Sequence, residues 1–117
     1  ADRYTKALSC VERVCTPFVK EGFYSSWAQY TVRFESQEVR DCLRVYLKEN
    51  DIPSMIYYAV PMHLQKAFEI YDTRRNTAFI TSEELCKTAL SLPMGPFLEN
   101  AEIEYVIKKI SDFMIHY

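Results

Sequence analysis

Polar and apolar positions along the chain divide it into alternating short strands and amphipathic helices. Tyr4 and Leu8 stand one helical turn apart with no start signal before them, so residues 1–8 read as the end of a helix. Residues 9–25 read as short extended pieces around Pro17, with a turn at Glu21-Gly22. Strict alternation follows over 26–34. Ala28, Tyr30, Val32 and Phe34 share one face and Trp27, Gln29, Thr31 and Arg33 the other, which predicts a strand with one buried side. The period then lengthens. Val39, Cys42, Leu43, Tyr46 and Leu47 fall on one stripe of a helix over 37–49, capped by Ser36 and stopped before Pro53.

A second strand is predicted over 54–59 on the run Met55-Ile56-Tyr57-Tyr58, broken by Pro61. A short helix over 63–71 places Leu64, Ala67, Phe68 and Tyr71 on one side, and 72–78 is a polar loop. Thr81 with Glu84 reads as a capping box opening a helix with Leu85, Cys86 and Ala89 inward. Leu90–Leu92 is a short extended piece before the turn at Pro93–Pro96. The last helix spans about 100–116, capped by Glu99 or Asn100, with Ile103, Val106, Ile107, Ile110, Phe113 and Met114 as its core stripe. Two or three strands with several helices predict a single α+β domain, a small antiparallel or mixed sheet packed with helices.

Composition narrows the chemistry. The chain has 117 residues, enough for one domain, and area scaling at its 13.8 kDa gives roughly 6,600 Å² folded against about 20,000 Å² unfolded. A net charge of −2 offers no basic excess for a phosphate backbone, which argues against nucleic-acid partners. No apolar run reaches the ~18 residues a membrane span needs, and no secretory leader is visible. Only Gly22 and Gly95 are present, so neither a phosphate loop nor a dinucleotide fingerprint can be built. Cys10, Cys15, Cys42 and Cys86 lack metal spacing, and Cys42 and Cys86 fall on apolar helix faces, so a reducing, cytoplasmic setting is expected.

The sharpest local feature is Tyr57-Tyr58-Ala59-Val60-Pro61-Met62-His63. Consecutive strand residues face opposite ways, so one of Tyr57 and Tyr58 is expected at a cleft or another chain. His63 would stand at a helix start, where the dipole disfavours imidazolium and leaves a neutral ring for hydroxyl groups. The plainer reading is that His63 only caps that helix. Arg74-Arg75-Asn76 is a weaker candidate for phosphate.

Five strings, in order, resemble the DegT/DnrJ/StrS family of sugar aminotransferases. They are the opening Ala1, Tyr4 and Leu8; Ser25-Ser26-Trp27-Ala28-Gln29-Tyr30-Thr31-Val32; Arg40-Asp41 with Leu43 and Leu47; Ile52-Pro53-Ser54 through Gln65; and Leu90-Ser91-Leu92-Pro93-Met94 with Pro96. Asp51 stands where the family usually has Gly, and Gly95 where His is common. The resemblance implies that residues 1–117 form the C-terminal domain of a longer enzyme, with a fold like the small domain of fold-type I aminotransferases. The pyridoxal phosphate domain and its lysine would precede Ala1, so this stretch alone is expected neither to hold the cofactor nor to transaminate. The parent would transfer an amino group, usually from glutamate, to a nucleotide-linked keto-sugar, with a lean toward UDP-linked sugars for cell-surface polysaccharide, as a homodimer. His63 and Tyr58, then Tyr57, are the expected sugar contacts. A different class also fits: a non-catalytic nucleotide-sugar-binding or dimerisation module.

Overall fold

The computed structural model describes residues 1–71 and 79–117. Arg74, Arg75 and Asn76 lie outside them, as does the predicted polar loop 72–78. In chain order the elements are helix α1 (Asp2–Leu8), strands β1 (Val14–Cys15) and β2 (Tyr30–Phe34), and helix α2 (Gln37–Glu49). Two 3-10 turns follow at Met62–Leu64 and Lys66–Tyr71. Helix α3 (Ile80–Thr88), strand β3 (Ala89–Leu92) and helix α4 (Asn100–His116) complete the fold.

The sheet is antiparallel in the order β1-β2-β3, with Val14 opposite Phe34 and Val32 opposite Leu90. One face of β2, carrying Tyr30, Val32 and Phe34, is buried beneath helices α1, α2 and α4. Tyr4 and Leu8 come from α1, Val39, Leu43 and Leu47 from α2, and Val106, Ile110 and Met114 from α4. This is the α+β class that the two hydrophobic periods predict.

Several boundaries differ from the sequence pattern, each for a local reason. Strand β2 starts at Tyr30, not at residue 26, because Trp27 takes φ 51°, outside extended space. Ala28 is exposed, and Trp27 turns its ring toward Tyr30 at 5.6 Å. The predicted strand over 54–59 reduces to one bridge, Met55 with Ser91. The expected helix over 63–71 is two 3-10 turns, and α3 begins one residue before Thr81, with Phe79 at the cap and no side-chain cap bond. Glu84 instead accepts from Lys87 at 3.1 Å. Leu85 and Cys42 are exposed rather than inward. At α4 the open choice resolves to Glu99, whose backbone N–H donates to Glu102 at 2.7 Å in a reciprocal capping box.

Helix α2 ends in a doubled closure. Asp51 N–H donates to Lys48 C=O at 3.2 Å and Ile52 N–H to Leu47 C=O at 2.9 Å, with Ile52 buried beside Leu47. Asp51 takes φ 57°, the left-handed conformation this closure requires. A side chain there costs about 1 kcal/mol, and glycine returns about 0.5 kcal/mol of that to chain entropy. Asp51→Gly is therefore expected to raise stability by about 0.5 kcal/mol, read as a higher urea midpoint. An unchanged or lower midpoint would show that Asp51 carries no strain.

The rings of Tyr4 and Tyr30 meet at a tilt, 5.1 Å apart in the core, and Tyr4 donates its hydroxyl proton to Pro93 C=O at 3.1 Å. Burial pushes the Tyr4 phenol up from 10.0 to about 12, with Tyr30 and Glu102 adding to it. The unfolded chain then loses this proton first. Its contribution to stability is whole below pH 10.0 and drains away as pH rises toward about 12. Urea melts across that window should show a steeper alkaline loss for the native chain than for Tyr4→Phe. Parallel slopes would mean that the phenol titrates alike in both states.

Candidate functional site

Pro61 fixes the chain at φ −64° and leads directly into the Met62–Leu64 turn that presents His63. Gln65 closes this corner, donating from Nε2 to Val60 C=O at 3.1 Å. His63 faces Glu83 in the first turn of α3, with Nε2 to Oε1 at 3.0 Å, and its ring lies 4.7 Å from that of Phe79. A carboxylate only accepts, so Nε2 carries the proton. The charged neighbour of His63 is thus a carboxylate and not the N-terminus of a long helix, since the turn it occupies spans only Met62–Leu64. Its side chain is 10% exposed against 39% for Glu83. The pair fastens the 62–64 turn to α3.

Tyr57 and Tyr58 are both exposed, Tyr58 more so at 73%, so the alternation argument does not apply to them. Their rings meet edge to face at 6.0 Å, and the peptide bond between them is cis. Tyr57 lines an open hollow of about 260 Å³ with Gln29, Ser54, Met55, Ser91 and Met94. Glu83, the partner of His63, instead lines a second hollow of about 250 Å³ with Gln37, Val60, Leu64 and Lys87. The two tyrosines are therefore neighbours, while His63 belongs to the α3 side. Gln29, Ser54 and Met94 beside Tyr57 are site candidates that residue chemistry alone missed. Their signal lay in the strings around Trp27, Pro53 and Pro93.

Among the described residues no lysine amine lies in an enclosed cavity. Pyridoxal phosphate needs such a lysine. Lys6, Lys20, Lys48, Lys66, Lys87 and Lys108 are exposed. Lys109 lies over the rings of Tyr46 and Tyr105 at 5.9 and 5.4 Å. Among the described residues no cluster of His, Cys, Asp or Glu could hold a metal ion, and no helix is long and apolar enough to cross a membrane.

Comparison with known proteins gives the class. Residues 1–111 match the DegT/DnrJ/EryC1/StrS aminotransferase family. A solved aminotransferase of this kind from Brucella abortus superposes with a TM-score of 0.85 at 39% identity, covering 97% of this chain and 29% of that one. The pleiotropic regulatory protein of Geobacillus stearothermophilus is 37% identical over all of this chain and 31% of its own length. The dTDP-3-amino-3,6-dideoxy-alpha-D-galactopyranose transaminase of Aneurinibacillus thermoaerophilus is 29% identical over 83% of this chain and 25% of its own. The UDP-2-acetamido-2-deoxy-3-oxo-D-glucuronate aminotransferase of Pseudomonas aeruginosa is 28% identical over the same shares. The chain belongs to the DegT/DnrJ/EryC1/StrS aminotransferase family. It spans between a quarter and a third of the length of these curated relatives.

Proposed function

We propose that this chain is the C-terminal domain of a pyridoxal phosphate-dependent aminotransferase acting on a nucleotide-linked keto-sugar. The observation that carries the reading is the family match over residues 1–111, nearly the whole domain. Two relatives named for transamination of dTDP- and UDP-linked sugars support the substrate class. Within that class we assign a UDP-linked sugar, glutamate as donor, a cytoplasmic homodimer and a role in cell-surface polysaccharide. The strings around Trp27 and Tyr57-Tyr58 favour the UDP branch. We place the cofactor and its lysine in a separate region of the enzyme, a reading that the exposure of this domain's lysines supports.

This domain's part is then to shape the sugar side of the cleft. Exposed Tyr57 and Tyr58 offer ring faces and hydroxyls to a sugar, and Gln29 and Ser54 add polar groups beside Tyr57. His63, its Nε2 held by Glu83, is assigned a further hydrogen bond to the sugar through Nδ1.

In the whole enzyme, His63→Ala should lower kcat/KM for the keto-sugar about 2- to 13-fold, the worth of one hydrogen bond to a neutral group. The glutamate half-reaction should stay nearly unchanged. Tyr58→Phe should give a smaller loss of the same kind. Stopped-flow measurement of each half-reaction decides the matter. Equal losses in both halves would refute the sugar role, and lost stability with intact kcat/KM would leave His63 a structural residue only. No amino transfer to any UDP- or dTDP-linked keto-sugar would sink the functional reading.

A further inference from the structure

Residues 16–29 contain neither helix nor strand. That is long for a connection inside a compact domain. Both ends are anchored. Cys15 pairs with Arg33 in the sheet, and Trp27 packs on Tyr30 at 5.6 Å. Between the anchors the backbone closes a turn, Phe23 N–H donating to Lys20 C=O at 3.0 Å, with Gly22 at φ 83°. Apolar residues flank this turn on both sides. Phe18 is 85% exposed, Phe23 71% and Tyr24 92%, while the tip is the charged pair Lys20-Glu21. Scattered exposed apolar residues are ordinary, but three exposed aromatic rings within seven residues mark a candidate contact surface.

The whole domain carries the same signature. Its accessible surface is 8460 Å², against roughly 6,600 Å² for a compact monomer of this mass. Its radius of gyration is 15.8 Å, where about 13.4 Å is usual for this length. The surplus of about 1,860 Å² is roughly twice what one side of a standard protein interface buries. Three rings contribute roughly 450–750 Å² of that, short of the ~800 Å² a side that separate molecules need. Linkage within one polypeptide removes this shortfall by raising the effective concentration to about the millimolar range. The relatives supply the partner: each has more than two-thirds of its length outside the stretch this chain matches, such as the 69% left by the 31% covered.

We propose that residues 16–26 form a docking arm whose Phe18, Phe23 and Tyr24 are buried against the cofactor-binding region of the same enzyme. This rests on the reading of the chain as one domain of an aminotransferase. Lys20, at the tip, makes the arm testable by trypsin. The 117-residue chain should be cut after Lys20 readily, and the enzyme carrying both regions at least about tenfold more slowly. The triple change Phe18→Ser, Phe23→Ser, Tyr24→Ser should restore cleavage in the whole enzyme. It should leave the melting temperature of the 117-residue chain unchanged, because the three side chains are already exposed there. Equal rates in the two proteins would overturn the proposal. So would slow cleavage of the 117-residue chain sedimenting as a dimer, which would assign the arm to a second copy. Amino transfer assayed on the same enzyme separates the two ideas. Activity with an unprotected arm refutes the docking alone, and a protected arm without activity refutes the aminotransferase reading alone.

Discussion

Replacing Arg40 by methionine is expected to cost about 2–4 kcal/mol of folding stability. Arg40 is 3% exposed on α2, yet it is charged. Its Nη1 donates to the carbonyls of Cys86 and Ala89 at 3.2 and 3.1 Å, and its Nε to Asp41 at 2.6 Å. The two carbonyls sit at the end of α3, where backbone acceptors lack helical partners and a cation is favoured. One guanidinium therefore closes the end of one helix from the side of another. Methionine keeps most of the apolar stem, so the loss reads the missing donors rather than a cavity. Asp41 is half exposed and falls back on water, which keeps the cost below that of breaking a fully buried ion pair. Urea unfolding with an unchanged m-value gives the number. A change under about 0.5 kcal/mol would mean that water serves the carbonyls equally well.

Ile110→Ala should cost about 2–5 kcal/mol, since Ile110 on α4 is 0% exposed in the core and its removal leaves a cavity. Ile107 lies on the same stripe and from sequence looks equally central. It is only partly buried, so Ile107→Ala should lose about 1–2 kcal/mol. The order of the two losses is the test. A larger loss at Ile107 would place the helix face one turn away from where the fold sets it.

Periodicity made α1, α2 and α4 legible, because an amphipathic stripe is a local property that tertiary packing only has to bury. It also identified Tyr30, Val32 and Phe34 as the inward face of β2, and the ordered strings around Trp27, Pro53 and Pro93 identified the family. The strings drew attention to His63, Tyr57 and Tyr58 as candidates, but pattern alone could not say what surrounds them.

Other features depended on groups distant in sequence or on single backbone angles. Whether Met55–Ala59 forms a strand depends on how far it runs beside β3, and it meets that strand at Ser91 alone among the described residues. Where β2 begins is decided by the left-handed turn at Trp27. The environment of His63 is set by Glu83, twenty residues away, and the burial of Arg40 by carbonyls more than forty residues away. Residue spacing alone set which faces seek the core, since burial follows from periodicity. Which polar groups meet was set by the folded chain, because a hydrogen bond exists only where folding brings donor and acceptor together.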